Sequence, residues 1–303
     1  MSKLRLDDMT IEQVRDLYNS MLKNLISKEL LDKIYNQYLQ KYNEMKEAER
    51  NGYTAPSGMG RRFNYLKNIL YGWYIEDLFF LLIKQNPAVK NIEFSGDDAK
   101  HIFEYDHENK KISICGSKTT APDFLITLNN DTKVYLELKT AAADIYSVKI
   151  GNVNQLQKTM GFTNIYSMII MVDLVHEKYE IKDLSFFIDS VPFVNQRMEG
   201  QLCYDFPAPQ KEFALLKDEK FEEYINEEMF NTIDVAKFRA LKIAIDNKDK
   251  EKVKEIKNKI TLDKLTNEFE FKKKEFHIKV EKLMEKTPNI QAETWEELLS
   301  ELI

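Results

Sequence analysis

The sequence predicts an α/β protein in which a mixed central β-sheet is flanked by helices, with further helical regions at both ends of the chain. Three observations predict this fold. Apolar residues recur at helical spacing over the first fifty residues and again over 63–84, two strands joined by a polar turn follow at 123–139, and an apolar run at 165–174 suits a strand buried on both faces. A strand, a helix and a buried strand in that order imply a right-handed crossover, so part of the sheet is expected to be parallel.

The chain has 303 residues, which is enough for a large domain or for a core with added pieces. Its 43% hydrophobic and 31% charged residues, with 9 glycines and 7 prolines, exclude a disordered or fibrous protein. Segment 51–62 is rich in glycine and is predicted to be a loop between regions. We therefore predict an N-terminal helical region at 1–60, an α/β core at 61–210 and a C-terminal helical region at 211–303.

The first region is predicted to be a helical hairpin. Thr10 begins a capping-box pattern at the first helix, and Ser27 can cap the second. The core is predicted to begin with a helix over 63–84 that ends before Pro87, because the residue before a proline disfavours the helical conformation.

Two strands at 123–128 and 133–139 form the clearest β-hairpin, joined by the turn formers Asn129, Asn130 and Asp131, of which Asn130 and Asp131 could make a two-residue turn. The other predicted elements are short strands at 91–94, 101–105 and 111–115, a polar helix at 152–160, the buried strand at 165–174, a strand at 179–189 and helix from 211 onward.

Composition excludes several classes of protein. A formal charge of -6 argues against coating nucleic acid through overall charge, although a local basic groove stays possible. Two cysteines cannot form a disulfide framework, and the N-terminus has no apolar stretch of signal-peptide length, so a cytoplasmic protein without a membrane span is expected. The glycines form neither a phosphate-binding loop nor a dinucleotide fingerprint, so no nucleotide cofactor is expected.

The hairpin carries the residues with the clearest chemistry. Glu137 and Lys139 project from one side of their strand, because side chains alternate between faces. A two-residue turn places Asp123 opposite Leu138, within one residue of both polar positions. Three charged groups are therefore expected to converge at one end of the hairpin.

Such groups are costly to bury without compensation, and a divalent cation removes that cost. The carboxylates of Asp123 and Glu137, with the backbone carbonyl of Leu138 nearby, suit Mg²⁺, which prefers oxygen ligands and keeps several waters. Lys139 could orient or deprotonate an attacking water and stabilise charge on a phosphate. Hydrolysis of a phosphodiester requires these groups.

The string of an acid, any residue and a lysine arises often in a chain with 31% charged residues. The strongest competitor is Glu180 and Lys182, preceded by Asp173 at the end of the buried strand. It lacks a Pro-Asp pair and a clear hairpin, so the context of the hairpin carries the prediction.

The segment APDFLITLNNDTKVYLELK resembles the catalytic hairpin of the PD-(D/E)XK nucleases, the superfamily that includes most type II restriction endonucleases. The surroundings over 66–189 are similar in order: a helix, short strands, the hairpin, a helix and a buried strand. The resemblance implies a restriction-endonuclease-like core in which Asp123 and Glu137 bind Mg²⁺ and Lys139 serves the nucleophilic water.

The resemblance also assigns roles outside the hairpin. Several branches of the superfamily place a glutamate on the first core helix near the metal, and Glu76 interrupts an apolar helix at that position. Gln155 lies where relatives often carry a polar or basic residue that reaches the scissile phosphate. Each residue also fits a structural interpretation, as the polar edge of its helix.

Residues that could contact DNA cluster in three segments. Arginine reads guanine, and asparagine or glutamine reads adenine, through paired hydrogen bonds in the major groove. The candidates for base contact are Lys149, Asn152 and Asn154 in one segment and Asn195, Gln196 and Arg197 in another. Arg61 and Arg62, after the glycine-rich loop, are candidates for phosphate contact.

These features together predict a Mg²⁺-dependent, sequence-specific endonuclease of double-stranded DNA, a type II restriction enzyme. A palindromic target would require a two-fold symmetric homodimer. One alternative keeps the site in a DNA repair, junction-resolving or phage-defence nuclease. The other is a non-catalytic helical interaction protein whose hairpin only resembles a nuclease site.

Overall fold

The structure is a computed structural model, and it confirms the α/β class. It describes residues 6–55, 62–95, 100–116, 122–141, 146–163, 165–187, 192–195, 200–218 and 220–228. The helices are α1 (Ile11–Leu22), α2 (Lys28–Arg50), α3 (Arg62–Lys84), α4 (Ile150–Thr163) and α5 (Lys220–Glu228).

The predicted helical hairpin is formed by α1 and α2. The hydroxyl of Thr10 accepts a hydrogen bond from the backbone N–H of Gln13, whose side chain accepts one from the N–H of Thr10. These two bonds form the predicted capping box. Ser27 caps α2 in the predicted place.

The helix α3 is the apolar centre of the N-terminal half. A helix that is hydrophobic on all sides is stable only when it is buried, and α3 packs between the hairpin of α1 and α2 and the sheet. The ring of Tyr74 contacts Tyr18 at a centroid distance of 5.1 Å and Tyr38 at 4.9 Å. The first two helices therefore share one core with the sheet.

Eleven strands lie in the described part of the chain. They are β1 (Val89–Phe94), β2 (Phe103–Asp106), β3 (Lys111–Ile114), β4 (Phe124–Leu128), β5 (Lys133–Ala141), β6 (Ser147–Lys149), β7 (Tyr166–Asp173), β8 (Lys178–Asp183), β9 (Phe193–Asn195), β10 (Gln201–Asp205) and β11 (Lys211–Glu212).

Six of these strands form a mixed sheet in the order β1-β4-β5-β7-β8-β11. The neighbours β5 and β7 are parallel, as the predicted crossover requires, and the other neighbouring pairs are antiparallel. A smaller sheet has the order β6-β10-β9, and β2 pairs with β3.

The two faces of the six-stranded sheet bury different cores. Val134, Leu136 and Leu138 of β5 pack with the N-terminal helices. Ile169 and Met171 of β7 belong to the second core, which includes residues of α4. Side chains of β5 between the buried ones therefore face the α4 side, because strand side chains alternate between faces.

The chain beyond β7 contains the unpredicted strands β9 and β10, and two predicted elements differ from the structure. The strand predicted at 179–189 ends at Asp183 and continues as a 3-10 helix over Leu184–Phe187. The helix predicted from 211 is preceded by β11 and a 3-10 helix over Phe213–Lys217. The physical reason is tertiary, because β11 completes the sheet edge beside β8.

The buried side chain of Asn86 holds this segment in place. Its amide donates to the carbonyl oxygens of Leu216 at 2.7 Å and Asp218 at 3.0 Å. The described C-terminal helix is α5, and the rest of the predicted helical region lies outside the described residues. No helix in the described part of the chain has the length and apolarity that crossing a membrane requires.

Candidate active site

The hairpin of β4 and β5 has a three-residue loop, and not the two-residue turn on which the predicted strand pairing depended. Phe124 pairs with Leu136, and the backbone N–H of Leu128 donates to the carbonyl of Thr132 at 2.8 Å. Asp131 has a φ of 64°, the left-handed conformation that closes a three-residue hairpin loop and that aspartate tolerates.

This register corrects the predicted position of Asp123. Continued by one residue, it sets Asp123 opposite Glu137, and no longer opposite Leu138. Directly opposed residues of an antiparallel pair project to the same face. Asp123, Glu137 and Lys139 therefore lie on one face of the sheet, closer together than the sequence predicted.

Hydrogen bonds join these groups. The backbone N–H of Leu138 donates to Oδ2 of Asp123 at 2.6 Å. The ammonium of Lys139 donates to Oε1 of Glu137 in a short ion pair, with 30% of the lysine side chain and 12% of the glutamate side chain exposed. The pair is reachable from solvent only at its edge.

The charges of the site shift its pKa values. Burial raises the pKa of the Asp123 carboxyl well above its ordinary value, and the negative charges of Glu137 and Glu76 raise it further. Burial lowers the pKa of Lys139, but the carboxylates of Glu137 and Asp123 outweigh burial, so the net pKa is raised. Asp123 and Glu137 thus share this site with Lys139, and the negative charge of Glu76 on α3 also acts on it.

The donor atoms fit Mg²⁺ in type and number. Asp123 and Glu137 supply carboxylate oxygens from adjacent strands, and Mg²⁺ in proteins is bound by one or two carboxylates with waters completing its shell. Among the described residues, no group of three or more His, Cys, Asp or Glu side chains is arranged to hold a metal ion. A site here would therefore depend on two acids and waters, and the Leu138 carbonyl ligand stays a prediction.

Glu76 reaches this site from α3, on the opposite side of the hairpin from α4. Its negative charge lies near enough to raise the pKa of both Asp123 and Lys139. Oε2 of Glu76 lies 3.1 Å from Nε2 of His101, and 16% of the glutamate side chain is exposed. The ion pair that Glu76 makes is with His101, and a role of Glu76 at the hairpin residues stays a prediction.

His101 belongs to this cluster, and sequence reasoning missed it. Its Nδ1 lies 3.1 Å from Oδ1 of Asp77, and its ring stacks on Trp73 at a centroid distance of 5.4 Å. Its partners Asp77 and Glu76 lie on α3, 24 and 25 residues earlier in the chain, and His101 itself lies in an irregular segment before β2. The signal that could have pointed to it is the adjacent acid pair in an apolar helix, which requires a buried cation.

The predicted residues after the hairpin lie on β6 and α4. Lys149 ends β6, and Asn152 and Gln155 are half-buried on α4, where Asn154 is exposed. Within the described residues, the hydrogen bonds of the catalytic side chains run to one another and to Leu138, so contact between Gln155 and the site stays a prediction.

The remaining DNA-binding candidates are a buried asparagine, the first residue of α3 and three residues outside the described part of the chain. Asn195 is buried, and its amide donates to the hydroxyl of Ser147 at 2.9 Å, which joins β9 to β6 inside the small sheet. Arg62 is the first residue of α3. Arg61, Gln196 and Arg197 lie outside the described residues.

The competing string around Glu180 has a structural role in the fold. Oε1 of Glu180 accepts from Nζ of Lys211 at 2.7 Å and from the Tyr224 hydroxyl at 3.0 Å, which ties β8 to β11 and α5. Asp173 accepts backbone N–H groups in the turn before β8 and therefore fixes that turn. The two acids act on separate parts of the fold.

Comparison with protein-family models finds none that matches the chain, and a search of curated proteins finds no match either.

Proposed function

We propose that the chain is a Mg²⁺-dependent endonuclease of double-stranded DNA with a PD-(D/E)XK site, and that it acts as a type II restriction enzyme. The single observation that carries this proposal is the placement of Asp123, Glu137 and Lys139 on one face of the β4–β5 hairpin. Two acids and a lysine in this arrangement match the residue types that the motif requires.

The mixed sheet supports the same proposal. The strand that carries Glu137 and Lys139 pairs on one side with β4, which follows Asp123, and on the other with the parallel buried strand β7. Helix α3 brings Glu76 to this hairpin from one side, and α4 covers the other face.

Each side chain has a defined task in phosphodiester hydrolysis. Asp123 and Glu137 would hold Mg²⁺, which supplies positive charge that stabilises the phosphate as it becomes more negative. In the absence of a bound cation the surrounding acids raise the pKa of Lys139. Lys139 would orient the attacking water or help deprotonate it, and would stabilise the charge that develops on the phosphate.

The proposed substrate contacts lie around this face. Lys149, Asn152 and Asn154 are the candidates for reading base edges, since they follow the catalytic strand directly. Arg61 and Arg62 are the candidates for phosphate contact. If the recognised sequence is palindromic, two copies related by a two-fold axis would each cut one strand.

The test is cleavage of DNA by the purified full chain. Plasmid and phage DNA are incubated with the protein and Mg²⁺, and with EDTA in a matched reaction. Discrete fragments that require Mg²⁺ support a sequence-specific endonuclease, and sequencing their ends would give the recognised site. A Mg²⁺-dependent smear would replace the restriction enzyme by a nuclease with little sequence preference.

Intact DNA with every metal ion, on a set of substrates that covers all short sequences, would overturn both nuclease readings. The variants Lys139→Ala and Lys149→Ala separate the roles of two lysines near the same face. The first should lose cleavage while it still binds DNA, and the second should weaken DNA binding more than the chemical step. Normal cleavage by Lys139→Ala would contradict the assignment of the site.

A further inference from the structure

The imidazole of His101 bridges two neighbouring carboxylates of α3. Nε2 lies 3.1 Å from Oε2 of Glu76, and Nδ1 lies 3.1 Å from Oδ1 of Asp77. Both ring nitrogens can donate only when the imidazole is protonated. The ring is almost fully buried, with 5% of its side chain exposed.

We propose that His101 is a positioning residue for the active site, which orients the Glu76 carboxylate toward Asp123 and Lys139. This inference rests on the proposed function, because it assigns a task to Glu76 in the same catalytic centre. Nothing in the resemblance to the PD-(D/E)XK nucleases assigned a role to a histidine in this chain.

The packing around His101 fixes the direction of its ring. Trp73 stacks on the ring at an interplanar angle of 16°, and Phe94 contacts it edge-on at a centroid distance of 4.8 Å. Phe94 pairs with Phe124, the residue that follows Asp123. Aromatic contacts therefore connect the imidazole of His101 through Phe94 to Phe124, the first residue of β4, which follows Asp123.

The backbone conformation of His101 also indicates that contacts with surrounding residues hold it in place. His101 has a φ of 51°, in the left-handed region that non-glycine residues seldom adopt. Such conformations persist only when the surrounding structure enforces them, and they are frequent at functional sites. The carbonyl of His101 accepts a hydrogen bond from Nζ of Lys41 at 2.8 Å, which holds this backbone against α2.

The charge of the imidazole suits the task. Burial lowers the pKa of His101, but hydrogen bonds to Asp77 and Glu76 outweigh burial and raise it to about 9. The ring is therefore positive at neutral pH and donates to both acids. The hydroxyl of Tyr38 donates to Oδ2 of Asp77 at 2.6 Å and lies 3.3 Å from Nδ1 of His101, so Asp77 has a second partner. Glu76 is the acid of the pair whose charge also acts on Asp123.

Two substitutions at His101 separate the ring nitrogens. Glutamine places its amide N–H near the position of Nε2, and asparagine places its amide near Nδ1. Asparagine also tolerates positive φ, so His101→Asn retains the backbone conformation well. We expect His101→Asn to lower kcat for DNA cleavage about 10- to 100-fold, the range typical of residues that orient groups at a metal site, with a much smaller change in KM. His101→Gln should recover part of this loss.

A double-mutant cycle with Glu76→Ala is the decisive measurement. If His101 acts through Glu76, the double variant Glu76→Ala with His101→Asn cleaves DNA as fast as Glu76→Ala alone. Multiplicative losses in kcat would overturn the inference, as would equal kcat values for wild type and His101→Asn. Circular dichroism and thermal unfolding identify a variant that fails to fold, and in that case the cycle is repeated with His101→Gly, which also adopts positive φ and removes the contact with Glu76.

The outcomes also distinguish this inference from the proposed function. A wild-type protein that cleaves no DNA contradicts the proposed nuclease function. If the wild-type protein cleaves DNA and the losses in kcat of the two single variants multiply in the double variant, only the role of His101 is contradicted.

Discussion

The backbone N–H of Leu138 donates a hydrogen bond to Oδ2 of Asp123 at 2.6 Å, across the hairpin of β4 and β5. This bond fixes the carboxylate of Asp123 beside the Glu137–Lys139 pair. It also partly satisfies a buried acid whose pKa is raised by burial and by the neighbouring carboxylates.

Asp123→Asn is expected to remove the response of the protein to Mg²⁺ without unfolding it. Asparagine keeps an oxygen that can accept from Leu138, but it removes the negative charge that a divalent cation requires. The measurement is the melting temperature with and without Mg²⁺. Mg²⁺ should raise Tm of the wild type and leave Tm of the variant unchanged.

The matched control is Asp131→Asn, the same chemical change on the same hairpin. Asp131 is 75% exposed, pairs with Lys90, and has a left-handed backbone that asparagine also adopts. It should keep the wild-type response to Mg²⁺. Equal responses of the Asp123 variant and the wild type would rule out Asp123 as a ligand.

Stability is expected to fall with rising pH because of His101. The pKa of this imidazole is about 9 in the folded protein and about 6.5 in the unfolded chain. A group whose pKa is higher in the folded protein than in the unfolded chain stabilises the fold fully at pH values below the unfolded pKa. For His101 this contribution declines between pH 6.5 and 9 and is lost at higher pH. One proton accounts for at most about 1.4 kcal/mol per pH unit in that window.

The measurement is urea unfolding of the wild type and of His101→Gln at several values between pH 6 and pH 9.5. The variant lacks the titrating imidazole, so its free energy of unfolding should depend less steeply on pH. Parallel pH profiles of the two proteins would show that His101 has an ordinary pKa.

Glu180→Gln is expected to destabilise the fold and to leave DNA cleavage unchanged. Glu180 is nearly buried and accepts from Lys211 and Tyr224, so loss of its charge weakens charge-assisted hydrogen bonds. We expect a loss of about 1–3 kcal/mol in the free energy of unfolding. A loss of cleavage by a folded variant would move the catalytic site to the β7–β8 strands.

Lysine variants of β8 and β11 give a matched pair for the same cluster. Lys211→Met removes the partner of Glu180, whose side chain is 8% exposed. Lys178→Met removes the partner of Glu212, whose side chain is 67% exposed. Exposed ion pairs contribute about 0–1 kcal/mol, so the first variant should be the less stable.

Asn86→Ala is expected to lower the free energy of unfolding by about 1–3 kcal/mol, because it leaves buried backbone groups without partners. The side chain of Asn86 bonds to the carbonyls of Leu216 and Asp218 and accepts from the N–H of Ala88. Asn91→Ala, at an exposed position of β1, is the control. Equal stability of the two variants would contradict this role of Asn86.

The sequence predicted the features that depend on local pattern. Alternation placed Glu137 and Lys139 on one face, and helical spacing with a capping residue placed α1 and α2. The strands β6, β9 and β10 were missed because each is three to five residues long and is held by pairing with distant segments. Short strands of this kind have no periodicity of their own.

Features set by tertiary contacts were beyond the sequence. The hairpin register depends on the backbone conformation of Asp131, whose φ is 64°. The same residues could form a two-residue turn or a three-residue loop, and the two loops give different registers. The role of His101 depends on an ion pair with Glu76 across 25 residues of chain. The residues from 211 to 217 have a composition typical of helices. Lys211 and Glu212 nevertheless form β11, because they pair with β8 at the edge of the sheet.

The loop of the catalytic hairpin has a consequence for protein engineering. Asn129 donates through its backbone to Ala88 at 2.9 Å and through its side chain to Pro87 at 2.7 Å, so it stays in the loop and out of the strand. If Asn129 joined the strand, pairing would slip by one residue and Asp123 and Glu137 would lie on opposite faces. This surface loop lies roughly 15–20 Å along the strands from the acids. Under the proposed function, an insertion that shifts this register is expected to abolish DNA cleavage, although the loop carries none of the proposed DNA contacts.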